Sequence, residues 1–386
     1  MKTIGILFGM EQTFPPALVE RINSLGVDGV TAEFVKIGGV KMADLMKYDV
    51  ILDRISQDIP FYRSMLKNAA LSGTVVVNNP FWWSADDKFF NYALSGQIGV
   101  PTPKTVLLPS KQHPPDTTAE SMRNLMYPLN WEEIFEYVGF PAFMKPHAGG
   151  GWKHVYKVNN PDELFAAYNK SGDLVMTLQE AIEFEEYYRC YVIGRKHVRV
   201  MPYEPRNPHH LRYVAGFTLT EERRAQLEDY CLRLCNALGY DFNTVEFAVR
   251  GGIPYAIDFL NPAPDAEKSS VQEDNFEWVL QTTAKFLVEL AQQGRKTPSE
   301  YNWSSFIAGT VPVKKSAPAT EKKAAPAKKS APATEKKAAP AAAEKMAAPK
   351  ADTKSAPKAE KKAAPVSGKK SAPKAEKKAG KAPVTS

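Results

Sequence analysis

The segment FMKPHAGGGWKHV, residues 143–155, is the strongest local pattern that could bind a phosphorylated ligand. A predicted strand ends at Lys145, and Gly149, Gly150 and Gly151 form a loop before the next strand. Glycine lets backbone amides approach phosphate oxygens, and a lysine at the strand end supplies a cation for the same charge. Phosphate binding is therefore one interpretation, and an ordinary glycine-rich hairpin loop is the other.

Two carboxylates further along the chain could hold a metal ion. Glu246 and Asp258 lie inside apolar runs that are joined by Arg250-Gly251-Gly252, which predicts a β-hairpin, and Asn261 follows the second strand. A carboxylate is costly to bury alone, and oxygen ligands suit Mg²⁺ shared with a polyphosphate. The alternative is a solvated strand edge that ends in an Asn-Pro turn.

The segment between these two patterns, LVMTLQEAIEFEEYYRCYVIG, could bind a nucleoside. A β run leads into residues 179–182, where an extended backbone could recognise the edge of an adenine. An acidic cluster follows, and a carboxylate there could bind ribose hydroxyls. The alternative is that this cluster is solvated, as acidic runs usually are.

A cationic loop, RVMPYEPRNPHHLRYV at residues 199–214, is the best candidate for substrate recognition. Its basic side chains suit a carboxylate substrate, with Arg212 favoured because it precedes a returning strand. The alternatives are a solvated loop and a metal site at the adjacent histidines. The basic residues of this loop are Arg199, Arg206, His209, His210 and Arg212.

The elements that must position these residues form two predicted domains. Residues 1–100 alternate apolar strands with amphipathic helices, which predicts an α/β domain with a small parallel sheet. From residue 101 the β runs come in neighbouring pairs, which predicts an α+β domain with antiparallel sheets over 101–297. Its first part, about 101–177, is the expected lid subdomain, and 298–312 is a linker.

Charge divides the 386-residue chain unevenly. Residues 313–386 contain 20 lysines and six acidic residues, a net charge of +14, whereas the rest carries −7. This segment contains repeats such as KKSAPATEKKAAPA and has nine prolines and no aromatic residue in all, a composition that predicts a disordered tail. We expect it to tether the protein to nucleic acid or another polyanion, or else to act as a solubilising spacer.

Several classes of protein are excluded by composition. No stretch approaches the roughly 18 apolar residues of a membrane span, and the start MKTIGILFGMEQ lacks a signal-peptide cleavage pattern. Three cysteines make no disulfide framework. We therefore expect a cytoplasmic protein, with nucleoid association through the tail as a further alternative.

Taken together, the motifs resemble the ATP-grasp superfamily over roughly residues 1–295. Lys88 in SADDKFF, the triple-glycine loop, the QEAI segment, Arg189, and the Glu246, Asp258 and Asn261 set occur in the order of that family. The layout is most similar to the glutathione synthetase-like and ribosomal-protein glutamate-ligase branch. The tail resembles linker-histone-like bacterial tails.

The resemblance implies a role for each residue. Nucleotide ligands would be Lys88, Lys145, Gly149, Gly150, Gly151, Gln179, Glu180, Ala181, Ile182 and, for the ribose, Glu185 or Glu186. One or two Mg²⁺ ions would be held by Glu246, Asp258 and Asn261. Arg189 and Arg212 would stabilise the transferring phosphoryl group, and Arg199, Arg206 and His209 would bind substrate.

Two features depart from the family pattern. The metal strand usually has Glu-x-Asn, but here two residues separate Asp258 from Asn261. Either a bulge or the strand end must realign Asn261, or the metal site is altered. The glycine loop also carries Trp152 and Lys153, which make it bulkier and more basic.

The activity that the resemblance implies is an ADP-forming ligase joining a carboxylate to an amine or a thiol through an acylphosphate. A phosphotransferase on the same scaffold and a non-catalytic nucleotide-binding scaffold are the alternatives. The substrates that the resemblance implies are small-molecule or peptide carboxylates and amines, and it implies a homo-oligomer as an alternative to a monomer.

Overall fold

The computed structural model describes residues 1–42, 45–214 and 219–294. The predicted linker at 298–312 and the predicted tail at 313–386 lie outside the described residues. Within the described ranges, no helix has both the length and the apolar character that crossing a bilayer requires.

The N-terminal sheet is parallel, as the sequence predicts. Its strands run in the order β2-β1-β3-β4, with helices between them along the chain. These strands are β1 (Lys2–Leu7), β2 (Val30–Phe34), β3 (Val50–Asp53) and β4 (Val75–Val77), and the helices are α1 (Phe14–Ser24) and α2 (Pro60–Leu71). All four residues of β3 are buried, as expected for an inner strand of a sheet covered on both faces.

Two helices lead from this sheet to the rest of the body: α3 (Pro80–Trp83) and α4 (Lys88–Gln97). The carboxylate of Asp87 caps α4 by accepting a hydrogen bond from the Phe90 amide. Lys88 is therefore fixed in the first turn of α4.

The central sheet is antiparallel, in the order β5-β8-β6-β7. It comprises β5 (Thr105–Leu108), β6 (Ala142–Pro146), β7 (Tyr156–Val158) and β8 (Met176–Glu180), with α5 (Trp131–Val138) and α6 (Pro161–Lys170) on one face. Alternate side chains such as Met144 and Leu178 pack against these helices. The opposite face therefore presents Lys145 and Gln179.

The C-terminal sheet is also antiparallel, in the order β10-β9-β11-β12. It comprises β9 (Glu186–Ile193), β10 (His197–Pro202), β11 (Phe242–Arg250) and β12 (Ile253–Asp258). The predicted hairpin between β11 and β12 is confirmed, and Gly251 and Gly252 form its turn with φ of +57° and +78°. Helix α7 (Glu221–Leu238) covers one face of this sheet.

One long helix joins the N-terminal and C-terminal sheets. After the short α8 (Lys268–Val271), helix α9 (Glu273–Gln293) packs its apolar side in a core shared with α1, β1, β3 and β9. Buried Leu287 and Val279 of α9 lie in the same cluster as Ile6 and Tyr191. The fold class, a parallel α/β sheet followed by two antiparallel sheets, agrees with the sequence prediction.

Candidate active site

The main cavity, of about 720 Å³, is lined by residues of the central and C-terminal sheets. Most of the nucleotide-binding residues predicted from the sequence meet there. The predicted residues that line it are Lys88, Lys145, Gly149, Gly150, Gly151, Gln179, Glu180, Ala181, Ile182, Arg206, Glu246 and Asp258.

Lys145 is a buried cation in this cavity. Its Nζ donates hydrogen bonds to the Tyr92 hydroxyl at 2.7 Å, to Oε1 of Gln179 at 2.9 Å and to the Ile257 carbonyl at 3.4 Å. Burial lowers the pKa of Lys145, while the Asp258 carboxylate acts in the opposite direction. An anion in the cavity would favour the charged form of this lysine.

Lys88 approaches the cavity from α4. Its Nζ lies 3.0 Å from Oδ1 of Asp258, and its backbone amide donates to the His147 carbonyl at 3.0 Å. The start of α4 is thereby bonded to the end of β6, where the glycine loop begins. Two lysines from distant parts of the chain thus enter one cavity.

The two predicted metal-binding carboxylates face each other across the hairpin. Glu246 and Asp258 are paired in register, and the Tyr187 hydroxyl donates to Glu246 at 2.6 Å. Burial raises the pKa of Glu246, although Arg189, 3.6 Å away, opposes the shift. Burial would also raise the pKa of Asp258, but Lys88 and the other nearby cations lower it below its ordinary value.

Asn261, the third predicted metal ligand, lies beside β11 and does not line the main cavity, so its metal role stays a prediction. Its Nδ2 donates to the Thr244 carbonyl at 3.1 Å, so its amide oxygen is the atom that could bind a cation. Among the described residues no group of three His, Cys, Asp or Glu side chains could hold a metal. The two carboxylates and one amide are hard oxygen donors that suit Mg²⁺, with phosphate and water as the remaining ligands.

The glycine loop lies open above the lysines. Gly149 and Gly151 have φ of +86° and +70°, a region that favours glycine, and a Cβ at either position would meet no atom within 4 Å. Trp152 follows with its side chain largely exposed. A lid role for this loop stays a prediction.

The acidic cluster after β8 divides between the cavity and its surroundings. Glu183 lines the cavity, whereas Glu185 accepts from the Gly251 amide at 3.3 Å. Glu186 accepts from the Tyr188 hydroxyl and pairs with Arg223 at 3.4 Å. The ribose role of Glu185 or Glu186 stays a prediction, and Glu183, the first residue of the same predicted acidic cluster, is the one that lines the cavity.

The two arginines predicted to stabilise the phosphoryl group, Arg189 and Arg212, have different surroundings. Arg189 is buried beside Glu246, and its Nη1 donates to the Tyr213 hydroxyl at 3.1 Å. Arg212 donates to the Asn207 carbonyl at 3.1 Å, so it holds its own loop together. Of these two arginines, Arg189 adjoins Glu246 of the predicted metal-binding pair, whereas Arg212 contacts its own loop.

The structure does not bring the predicted substrate residues together. Arg206 lies over the Phe184 ring at 4.5 Å and lines the main cavity. Arg199 instead donates to Asn275 at 2.7 Å beside a separate pocket of about 360 Å³. His209 lies 3.5 Å from Asp265. Their substrate roles stay predictions, with Arg206 the best placed.

Sequence reasoning missed two tyrosines at the site. Tyr92 bonds to Lys145, and Tyr187 bonds to Glu246. Tyr92 follows Lys88 by four residues, a spacing that places both on one face of a helix. That spacing was the available signal for Tyr92. Tyr187 lies in a tyrosine-rich strand whose pattern equally predicts core packing, so the sequence held no signal for its role.

The chain resembles solved structures over most of its length. It superposes on the VanG D-Ala:D-Ser ligase from Enterococcus faecalis with a TM-score of 0.54, covering 75% of this chain and 99% of that one at 17% identity. The ATP complex of D-alanine–D-alanine ligase from Bacillus anthracis gives a TM-score of 0.52 at 16% identity, covering 76% of this chain and 98% of that one. The RimK domain ATP-grasp protein from Sphaerobacter thermophilus gives a TM-score of 0.52 at 17% identity, covering 74% of this chain and 99% of that one.

The chain has the ATP-grasp fold. In ATP-grasp terms, the main cavity lies between the two antiparallel sheets, and the N-terminal sheet is the domain that precedes them. This agrees with the resemblance that the order of sequence motifs indicates.

The chain also matches a curated protein in sequence. The D-alanine–D-alanine ligase of Burkholderia mallei is 27% identical over 192 residues, which cover 46% of this chain and 57% of that ligase. The chain thus spans little more than half the length of the curated relatives it matches. No family model matches the chain.

Proposed function

We propose that this protein is an ATP- and Mg²⁺-dependent ligase that joins a carboxylate to an amine. The observation that carries the proposal is the meeting of Lys88, Lys145 and the Glu246–Asp258 pair in one cavity beside a glycine loop. The aligned D-alanine–D-alanine ligase sequence supports an amide-forming ligation rather than another use of ATP.

The nucleotide would lie along the main cavity. Residues 179–183 would border the base and ribose, and the lysines would contact the phosphates under the glycine loop. Charge-assisted hydrogen bonds from lysine to phosphate are short and strong, and they gain strength in a buried site. Mg²⁺, held by Glu246, Asp258 and Asn261 when bound, would supply further positive charge to the phosphate oxygens.

The chemistry follows from the poor reactivity of a carboxylate. A carboxylate oxygen would bond to the γ-phosphorus, the bond between that phosphorus and the β–γ bridging oxygen would break, and ADP would leave. The amine nitrogen would then attack the carbonyl carbon, lose a proton and expel phosphate. The lysines and Arg189 would stabilise charge on the transferring group, so no protein nucleophile is required.

We also infer that residues 313–386 tether the enzyme to nucleic acid. The support is charge: +14 on this segment against −7 on the rest of the chain. Binding through phosphate contacts would be independent of base sequence and would weaken steeply with salt. DNA binding by the full chain, compared at low and high salt with a chain ending at Pro312, tests this inference.

Phosphate release from ATP tests the ligase proposal. The full chain is incubated with ATP, Mg²⁺ and pooled amino acids and small carboxylates, with Lys145→Ala and Asp258→Ala as controls. Release that needs both a carboxylate and an amine, and disappears in both variants, supports a ligase. A phosphorylated product formed without an amine would instead indicate a phosphotransferase, and ATP binding without turnover a scaffold.

A further inference from the structure

A β-bulge determines which way Asp258 points. Phe247 pairs with Ala256, and both pack in the core beneath α7, but the next register pair is Glu246 with Asp258. Ile257 is therefore an extra residue in β12. In a regular strand Asp258 would share the face of Ala256 and enter the α7 core. The bulge turns it onto the cavity face, opposite Glu246.

The carbonyl of this extra residue is bonded by two side chains from other elements. The Tyr92 hydroxyl donates to the Ile257 carbonyl at 2.8 Å, and Lys145 approaches it at 3.4 Å. The same hydroxyl accepts a hydrogen bond from Lys145 at 2.7 Å. One oxygen atom of Tyr92 therefore connects the phosphate-binding lysine to the residue that precedes Asp258.

Tyr92 is itself held rigidly. Its side chain is 6% exposed, and its ring meets Phe259 edge-on with centroids 5.6 Å apart. Burial raises the pKa of Tyr92, so its hydroxyl keeps the proton that it donates. It lies one helical turn after Lys88, which contacts Asp258 directly. Helix α4 thus reaches Asp258 by two routes.

We propose that Tyr92 is a positioning residue that fixes the β12 bulge and Lys145 together, and so aligns the phosphate-binding and metal-binding groups. This inference rests on the proposed function, since it assumes that magnesium nucleotide occupies the main cavity. Without the hydroxyl, Lys145 retains Gln179 as a close partner, whereas the Ile257 carbonyl would lose its 2.8 Å side-chain contact and keep the 3.4 Å contact with Lys145. Loss of the hydroxyl should therefore loosen the bulge more than the lysine.

The test is Tyr92→Phe in the full chain, because phenylalanine preserves the ring packing and removes one oxygen. Tyr230→Phe is the matched control, since Tyr230 is buried in the same core and its hydroxyl has only a 3.5 Å contact with Gln226. Affinity for a non-hydrolysable ATP analogue is measured by calorimetry with and without Mg²⁺. Thermal unfolding is measured for both variants.

We expect Tyr92→Phe to weaken the magnesium-dependent affinity roughly ten-fold, as for loss of a hydrogen bond linked to a charged group. Tyr230→Phe should match the wild type. In a Lys145→Ala background, Tyr92→Phe should add less than its full effect, because the two residues act through one hydrogen-bond network.

Three results would overturn the inference: unchanged affinity in Tyr92→Phe, an equal loss in Tyr230→Phe, or full additivity with Lys145→Ala. If the wild type itself bound no nucleotide, the proposed function would fall together with the inference. Normal wild-type binding with an unaffected Tyr92→Phe would reject only the inference.

Discussion

The ammonium of Lys88 lies 3.0 Å from Oδ1 of Asp258, although the two residues are 170 positions apart in sequence. Lys88 begins α4 and Asp258 ends β12, so the pair joins the helix that follows the N-terminal sheet to the C-terminal sheet. The Lys88 side chain is 8% exposed and that of Asp258 33%. This ion pair places a cation beside two carboxylates that would otherwise repel each other.

Removing Lys88 should therefore destabilise the protein through Asp258. We expect Lys88→Met to lower the free energy of unfolding by about 1–3 kcal/mol, less than for a fully buried pair because Asp258 is partly solvated. Lys88→Met combined with Asp258→Asn should recover part of the loss. Urea unfolding of the wild type, the two single variants and the double variant measures the coupling between Lys88 and Asp258. Unfolding free energies that add within about 0.5 kcal/mol would contradict this coupling.

The glycine loop offers a matched pair of substitutions. Gly149 has φ of +86°, whereas the neighbouring Gly150 does not have positive φ, and a Cβ would meet no atom at either position. Gly149→Ala should therefore cost about 1–2 kcal/mol of backbone strain and weaken binding of an ATP analogue roughly ten-fold. Gly150→Ala should bind nearly as the wild type does. Equal affinities in calorimetry would contradict this account of the loop.

Glu267 links the loop after β12 to helix α1 beside the N-terminal sheet. Its carboxylate accepts hydrogen bonds from the backbone amides of Gln12, Thr13 and Phe14 at 3.1 to 3.3 Å. Although it is about 250 residues away in sequence, Glu267 thus caps the start of α1. We expect its contribution to stability to be on the order of that of a local cap. Glu267→Ala should lower the unfolding free energy by about 1–2 kcal/mol.

Exposed Glu20 on α1 provides the control for this measurement. Glu20→Ala should change stability by less than about 0.5 kcal/mol, as for an ordinary surface position. If chemical denaturation gave the same small change for Glu267→Ala, the cap that Glu267 provides for α1 would contribute nothing measurable to the free energy of unfolding.

Asp86 should give stability a pH dependence. Burial raises its pKa from 3.8 to about 7, although the Tyr240 hydroxyl donates to it at 2.8 Å. Between about pH 4 and 7 the folded protein keeps a proton that the unfolded chain releases, so stability falls as pH rises through this window. Above about pH 7 both states are ionised and the full penalty of burying the charge is present.

Asp86→Asn removes this penalty and keeps an oxygen to accept from Tyr240. The variant should match the wild type near pH 4 and become the more stable protein above about pH 7. Thermal unfolding across this range measures both curves. Parallel curves would show that Asp86 does not titrate as described.

Much of the fold and half of the site could be predicted because they depend on local pattern. Strand and helix alternation predicts the parallel sheet, and Gly251-Gly252 predicts the β11–β12 hairpin. Lys145 lies near the end of β6 in the central sheet, and Asp258 ends β12 in the C-terminal sheet. Their meeting in the main cavity depends on how the two sheets pack, which the strand patterns do not indicate; the order of the motifs pointed to it through the family resemblance.

The position of the β12 bulge could not be predicted, because it depends on partners far away in sequence. The spacing predicted only that a bulge or the strand end must realign Asn261, whereas the bulge lies at Ile257, before Asp258. Only the folded chain shows that Tyr92 and Lys145 bond the carbonyl of Ile257. The bulge precedes Asp258, so it orients this carboxylate, while Asn261 is placed separately by its bond to the Thr244 carbonyl. Because the bulge lies before Asp258, it does not alter the two-residue separation between Asp258 and Asn261.

The cationic loop was harder to interpret because arginines find different partners in three dimensions. Arg206 pairs with Glu204 beside the cavity, whereas Arg199 on the edge strand β10 reaches Asn275 of α9. A simpler rule applies to Glu185 and Glu186. Adjacent residues at a strand point to opposite faces, so at most one of them could have faced the cavity.

Trapping with hydroxylamine tests carboxylate activation most directly, because it requires no knowledge of the natural amine. The full chain is incubated with ATP, Mg²⁺, hydroxylamine and pooled carboxylic acids, and hydroxamate and ADP are quantified by mass spectrometry. We predict equal amounts of hydroxamate and ADP, dependent on a carboxylic acid and lost in Lys145→Ala. ATP binding without hydroxamate from any acid, or hydroxamate formed with AMP, would contradict ligation through an acylphosphate.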